Sequence, residues 1–149
     1  MTDEPVPCPQ CGQANRIPRT AAGSPRCGRC RTPLPWLVAA DDTDFAVVAE
    51  DARLPVLVDL WAAWCGPCRM VAPAVARAAG EFAGRLKVVK VDVDAAPSVA
   101  ARYDARSIPT LLLLRDGQLV GRQVGAVPAD RLLAWVGAAL TDHGAAAGR

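Results

Sequence analysis

PVLVDLWAAWCGPC, residues 55–68, is the stretch on which the fold turns. Residues 55–62 are apolar on both faces, which predicts a strand in the middle of a sheet covered by helices on either side. Past the two thiols, Val71, Val75, Ala78 and Phe82 recur at the spacing of an amphipathic helix. Cys65 and Cys68 therefore stand where a buried strand gives way to a helix. One carboxylate, Asp59, interrupts the strand.

The same alternation of periods continues on both sides. LKVVKVDVD (86–94) reads as a second internal strand and PSVAARYDA (97–105) as a short helix. TLLLLRDGQLVGRQV (110–124) reads as a hairpin turning at Asp116-Gly117. A last helix is expected over 128–140, with Pro128 in its first turn, and a frayed tail after it. Upstream, DTDFAVVAEDA (42–52) reads as a short helix begun by an acidic cap, and RTPLPWLVAADD (31–42) as a stiff linker entering the first strand. The order β-α-β-α-β-α-β-β-α makes an α/β sandwich: a mixed central sheet flanked by helices.

The chain of 149 residues suits one domain of about 110 residues with a small appendage. Between Cys8 and Cys30 the only large apolar side chain is Ile17. So little apolar material cannot hold a fold by packing alone. The segment does carry CPQC, fifteen residues, then CGRC, within the spacing of a four-thiolate zinc site built from two knuckles. Cys8, Cys11, Cys27 and Cys30 are the candidate ligands, and zinc supplies the missing folding energy. A pair of disulfides is the alternative reading. The expected division is 1–35 zinc ribbon, 36–141 catalytic domain and 142–149 flexible tail.

No apolar run reaches the length of a membrane span, and MTDEPVPCPQCG lacks the basic and apolar regions of a secretory leader. The expected setting is the cytoplasm, where C-x-x-C pairs bind metal or do redox chemistry more often than they form structural disulfides. Net charge is +2, with residues 1–35 at +3 (five arginines against Asp3 and Glu4) and the remainder at −1. This is no nucleic-acid signature. The arginines at 16, 19, 26, 29 and 31 read as a solvated face, and His143, the single histidine, lies far from both cysteine groups. A monomer is expected.

Thiol–disulfide exchange needs an attacking thiolate and a second thiol to resolve the mixed disulfide. At the first turn of a helix, unpaired N–H groups favour the Cys65 thiolate, leaving Cys68, one turn further in and less accessible, to resolve. Pro67 fits that turn, and Pro73 is expected to kink the helix. Asp59, desolvated in its strand, should have a raised pKa and can take the Cys68 proton through water. A structural pairing with Lys90 on the next strand is compatible with that role.

VDLWAAWCGPCRMVAP, KVDVDAAP, SIPTLLLLRDGQ and VGA, in that order over residues 36–141, resemble thioredoxin. With the four-cysteine segment in front, the chain is most similar to the thioredoxin 2 family. The resemblance implies the thioredoxin fold and a cytoplasmic protein-disulfide reductase, itself reduced by thioredoxin reductase with NADPH. It makes Cys65 the nucleophile, Cys68 the resolving thiol, Asp59 the buried acid/base and Lys90 its charged neighbour. Trp61 and Trp64 match active-site tryptophans and Pro109 the family's cis-proline. Ile108 and Pro109 would offer backbone groups to an extended substrate, with Trp64, Gly66, Pro67 and Gly125 completing the docking surface. The implied cofactors are zinc in the ribbon and the redox-active disulfide, with no organic cofactor. Gly66-Pro67 between the thiols is the dipeptide of the reductants. Leu60 and Ala63 depart from the usual family residues without touching the chemistry. The competing reading makes the ribbon the active part, a zinc-dependent binding module or a redox sensor that releases zinc on oxidation.

Overall fold

The computed structural model describes residues 5–21 and 23–147, with side chains as far as residue 141. Its centre is a five-stranded sheet of β3 (Leu37–Ala39), β4 (Val56–Trp61), β5 (Lys87–Asp92), β6 (Thr110–Arg115) and β7 (Gln118–Val124). Spatial order is β3-β5-β4-β6-β7. β5 runs parallel to both β3 and β4, while β6 is antiparallel to β4 and to β7. The sheet is therefore mixed. Two further strands, β1 (Val6–Pro7) and β2 (Ala14–Asn15), form a separate antiparallel pair in the cysteine-rich segment.

β4 is central, and Val56, Leu57, Val58, Asp59 and Leu60 are all buried. Alternation of side chains along a strand sends them to two cores. Val56, Val58 and Leu60 pack with Trp36, Phe45, Val48 and Val99 on one face. Leu57 packs on the other with α1 (Gly66–Glu81) and α3 (Ala129–Ala147). The expected stripe of α1, Val71, Val75, Ala78 and Phe82, is buried there, as are Leu132, Val136 and Leu140 of α3. α2 (Pro97–Arg102) lies on the first face through Val99.

Three local expectations are modified. The helix expected over 42–52 closes as a π-helical turn, Ala46–Glu50, because the Asp51 N–H reaches the Ala46 carbonyl at 2.8 Å. No side chain caps it at Phe45; the acidic residues instead brace the turn that leads into it, the Asp41 carboxylate accepting from the Thr43 N–H at 2.9 Å and the Asp44 carboxylate from the Asp41 N–H at 2.9 Å. α1 is helical on both sides of Pro73. α3 continues past 140 to Ala147, so the tail expected at 142–149 falls where no side chain is described, and residues 148 and 149 lie outside the described residues. The hairpin turn is at Asp116-Gly117 as expected, with φ of 52° and 76°, the paired positive angles of a type I′ turn.

The cysteine-rich segment is seated against this domain. Leu34 is buried with Cys8 and Cys27 over Ile17, and Ile17 also packs on the first-face core. Buried Trp36 donates from Nε1 to the Pro18 carbonyl at 2.7 Å.

Candidate redox site and metal centre

β4 delivers Trp61 at its end, and four residues later the chain enters α1. Cys65 is the N-cap of α1, with extended backbone angles, and its Sγ accepts from the Cys68 N–H at 3.1 Å. A cap acceptor meets one of the unpaired N–H groups at a helix start, so this sulfur sits in the field that favours a thiolate. Cys65 and Cys68 are bonded to each other. In this disulfide form both residues are buried, at 4% and 3% exposure, so the expected difference in accessibility between the two thiols is not present. What separates them is hydrogen bonding, with the cap role falling to Cys65.

On β4, six residues before Cys65, Asp59 is fully buried and register-paired with Lys90 across β4 and β5. The Lys90 Nζ stands 3.7 Å from the carboxylate, an ion pair too long for a direct hydrogen bond, and neither carboxylate oxygen has a hydrogen-bond partner among the described residues. Burial pushes the Asp59 carboxyl up to about 6, with the Lys90 charge pulling the other way. Lys90 also lies 4.9 Å over the Trp61 ring.

The remaining candidates converge on the same end of the sheet. The Ile108–Pro109 peptide is cis, and the Cys65 Sγ is 3.7 Å from the Ile108 carbonyl. The Pro109 carbonyl accepts from the Gly125 N–H at 2.8 Å, which ties the loop after β7 to the loop before β6. Gly125 has a φ of +95°, open to glycine without strain. Trp64 is 67% exposed, and its Nε1 donates to Asp94 at 2.8 Å; Gly66 and Pro67 are exposed beside it. Ile108 also packs with Cys65, Cys68, Ala62, Trp61 and Val93.

The other four cysteines gather away from this site. Their sulfurs lie within 4.8 Å of one another, and none is in a disulfide. Two approaches between knuckles, Cys8 to Cys30 and Cys11 to Cys27, are each 3.6 Å. Four thiolates around a tetrahedral ion at about 2.3 Å would stand roughly 3.8 Å apart, so the set fits a metal. Knuckle N–H groups point at the sulfurs, Gln10 to Cys8 at 3.4 Å and Arg29 and Cys30 to Cys27 at 3.4 and 3.5 Å. The Cys30 N–H first, then those of Arg29 and the Asn15 amide, hold the Cys27 thiol down to about 6 against the burial that raises it. Asn15, Trp36, Lys87 and Asp94 were not singled out from the sequence. Asn15 braces the second knuckle, its Oδ1 accepting from the Gly28 N–H at 3.0 Å and its Nδ2 donating to the Cys27 Sγ at 3.5 Å. Lys87 is the one with a signal, being one of only two lysines in the chain.

The thioredoxin family model matches residues 35–138, beginning after the last of the four clustered cysteines. Thioredoxin 1 of Synechococcus elongatus is 52% identical over 94 residues, 63% of this chain and 88% of that one. The thioredoxin of Haemophilus influenzae is 49% identical over 92 residues, 62% of this chain and 86% of its own. Thioredoxin C-2 of Corynebacterium nephridii is 44% identical over 100 residues, covering 67% and 93%. With a disulfide at a helix cap, a buried carboxyl in the strand that leads to it and a match across most of its length, the chain belongs to the thioredoxin family and is a thiol–disulfide oxidoreductase.

Proposed function

We propose that the chain is a cytoplasmic protein-disulfide reductase working through Cys65 and Cys68, with zinc held by Cys8, Cys11, Cys27 and Cys30. The observation that carries the reading is the Cys65–Cys68 bond at the N-cap of α1, and the burial of Asp59 in the strand that leads to it supports the acid/base role. The Cys65 thiolate attacks one sulfur of a substrate disulfide; that bond breaks, and the departing sulfur leaves as a thiolate that takes a proton from water. Asp59, in the carboxylate form that Lys90 favours, accepts the Cys68 proton through water and becomes neutral, leaving Cys68 as a thiolate. Cys68 then attacks the Cys65 sulfur, the mixed disulfide breaks, and the second substrate sulfur leaves. Two electrons have passed to the substrate, and Cys65–Cys68 is oxidised.

Trp64, Gly66, Pro67, Ile108, Pro109 and Gly125 form the surface on which an extended substrate segment lies, its backbone pairing beside the cis peptide. Thioredoxin reductase, drawing on NADPH, restores the dithiol. The metal closes the ribbon over residues 1–35, the thioredoxin domain follows over 36–141, and the protein acts as a monomer. No helix among the described residues is long and apolar enough to cross a membrane.

The test is reduction of a protein disulfide by the full chain with thioredoxin reductase and NADPH. NADPH consumption that depends on all three components is expected, and Cys68→Ser should accumulate a mixed disulfide through Cys65, seen by mass spectrometry. Sustained turnover by Cys65→Ser would contradict the assignment.

A further inference from the structure

Lys87 is the buried cation that the redox chemistry does not use. It is 1% exposed, lies 4.3 Å over the Trp36 ring, and donates from Nζ to the Val48 and Arg19 carbonyls, each at 2.6 Å. The second of those acceptors belongs to the cysteine-rich segment. With Trp36 holding the neighbouring Pro18 carbonyl, the backbone at 18–19 is fastened to the catalytic domain at two consecutive residues. The Arg19 side chain is fastened as well, its guanidinium paired with Asp44.

The place where Arg19 is held matters. A cleft of about 460 Å³ is walled by Arg19, Asp41, Asp44, Trp61, Lys90 and Asp92. Lys90 is the residue whose ammonium stands 3.7 Å from Asp59, and its own side chain is 27% exposed. The cleft thus leads from solvent to the one charged partner of the buried carboxyl, and one of its walls comes from the metal-binding segment.

We infer that Arg19 is a positioning residue for disulfide reduction: carried by the cysteine-rich segment and locked by Lys87 and Asp44, it narrows the cleft beside Lys90 and limits the bulk water that reaches Asp59. The inference rests on the acid/base reading of Asp59. Burial is the largest influence on that carboxyl, holding it near 6. Opening the cleft hydrates its surroundings and relieves that influence. The charged group that faces Asp59 is Lys90 from β5, and Lys90 in turn shares the cleft with Arg19, Asp41, Asp44 and Asp92; Cys65 and Cys68 at the start of α1 are bonded to each other and do not titrate. Because the ion pair carries no net charge, removing both of its members separates hydration from charge.

The experiment follows the Asp59 carboxyl carbon by NMR against pH in the zinc-loaded, disulfide form of the full chain, where Cys65 and Cys68 do not titrate. The variant is Arg19→Ala with Asp44→Asn, the latter keeping an acceptor for the Asp41 N–H. The midpoint is expected to fall by about one unit, and Arg19→Lys alone should leave it near the wild-type value. An unmoved midpoint in the double variant overturns the proposal and leaves the Asp59 role intact. A separate measurement, the pH profile of mixed-disulfide resolution, tests the parent reading. If Asp59→Asn leaves that profile unchanged, the acid/base role fails and takes the catalytic relevance of Arg19 with it, even where the midpoint moves.

Discussion

The chain uses one spacing, C-x-x-C, three times and obtains two different results. At residues 65 and 68 the two sulfurs of a single pair are bonded to each other. In the N-terminal segment no pair is bonded within itself, and sulfurs meet across the two pairs, Cys8 by Cys30 and Cys11 by Cys27. The backbone accounts for the difference. A pair at a helix start is wound by the helix onto one turn, where the first sulfur caps the N–H of the second. A pair in a knuckle has its sulfurs turned outward by N–H groups within the loop, and a second knuckle must face it to complete a tetrahedron. Spacing thus supplies proximity, while the element beneath it decides between a reversible bond and a ligand set.

Removing the metal should give the largest effect. With a chelator, or in Cys27→Ser, the segment before residue 35 loses folding energy on the order of 10 kcal/mol. Hydrogen exchange should then show protection lost over 5–34, while disulfide reduction persists to within a few-fold. Joint loss of both would break the comparison, because the two cysteine groups would then be one functional unit. Next in size, Cys65→Ser should lower disulfide turnover at least ~10³-fold with metal content unchanged, as read by NADPH consumption alongside metal analysis.

Asp59 sharpens the comparison from the redox side. Its folded pKa is raised from 3.8 to about 6 by burial. In that window the folded protein holds a proton that the unfolded chain has released, so stability is fully present below the window and falls as pH rises through it. Asp59→Asn should therefore flatten stability across the window and gain about 2 kcal/mol at neutral pH, measured by urea denaturation. A loss of stability at neutral pH would mean that the Lys90 pair outweighs burial. The smallest effect belongs to the metal side: Asn15→Ala, which removes the brace on Cys27 and Gly28, should speed metal transfer to a competing chelator about tenfold while turnover stays unchanged.

Much of this was legible in the chain because it is local. The stripe Val71, Val75, Ala78 and Phe82 is a period, Asp116-Gly117 is a turn requirement, and Asp59 stands out as a carboxylate inside an apolar run. The knuckle spacing is local too, and the four sulfurs do meet. The π-helical turn at 46–50 was not legible, since one shifted hydrogen bond separates it from an α-helix and no residue type marks the choice. Lys87 was less legible still. At the head of a strand it looks like an ordinary exposed lysine, and its burial depends on carbonyls 39 and 68 residues away. The seating of the cysteine-rich segment was hidden for the same reason, being made by Trp36, Lys87 and Asp44 from three separate parts of the chain.

Metal per chain, measured on the fully reduced protein and again after just enough oxidant to close Cys65 to Cys68, tests the division of labour most directly. One zinc in both states is the predicted result, with the four-cysteine cluster untouched while the helix-cap pair turns over. No zinc in the reduced protein, or zinc released as the Cys65–Cys68 bond forms, would contradict it.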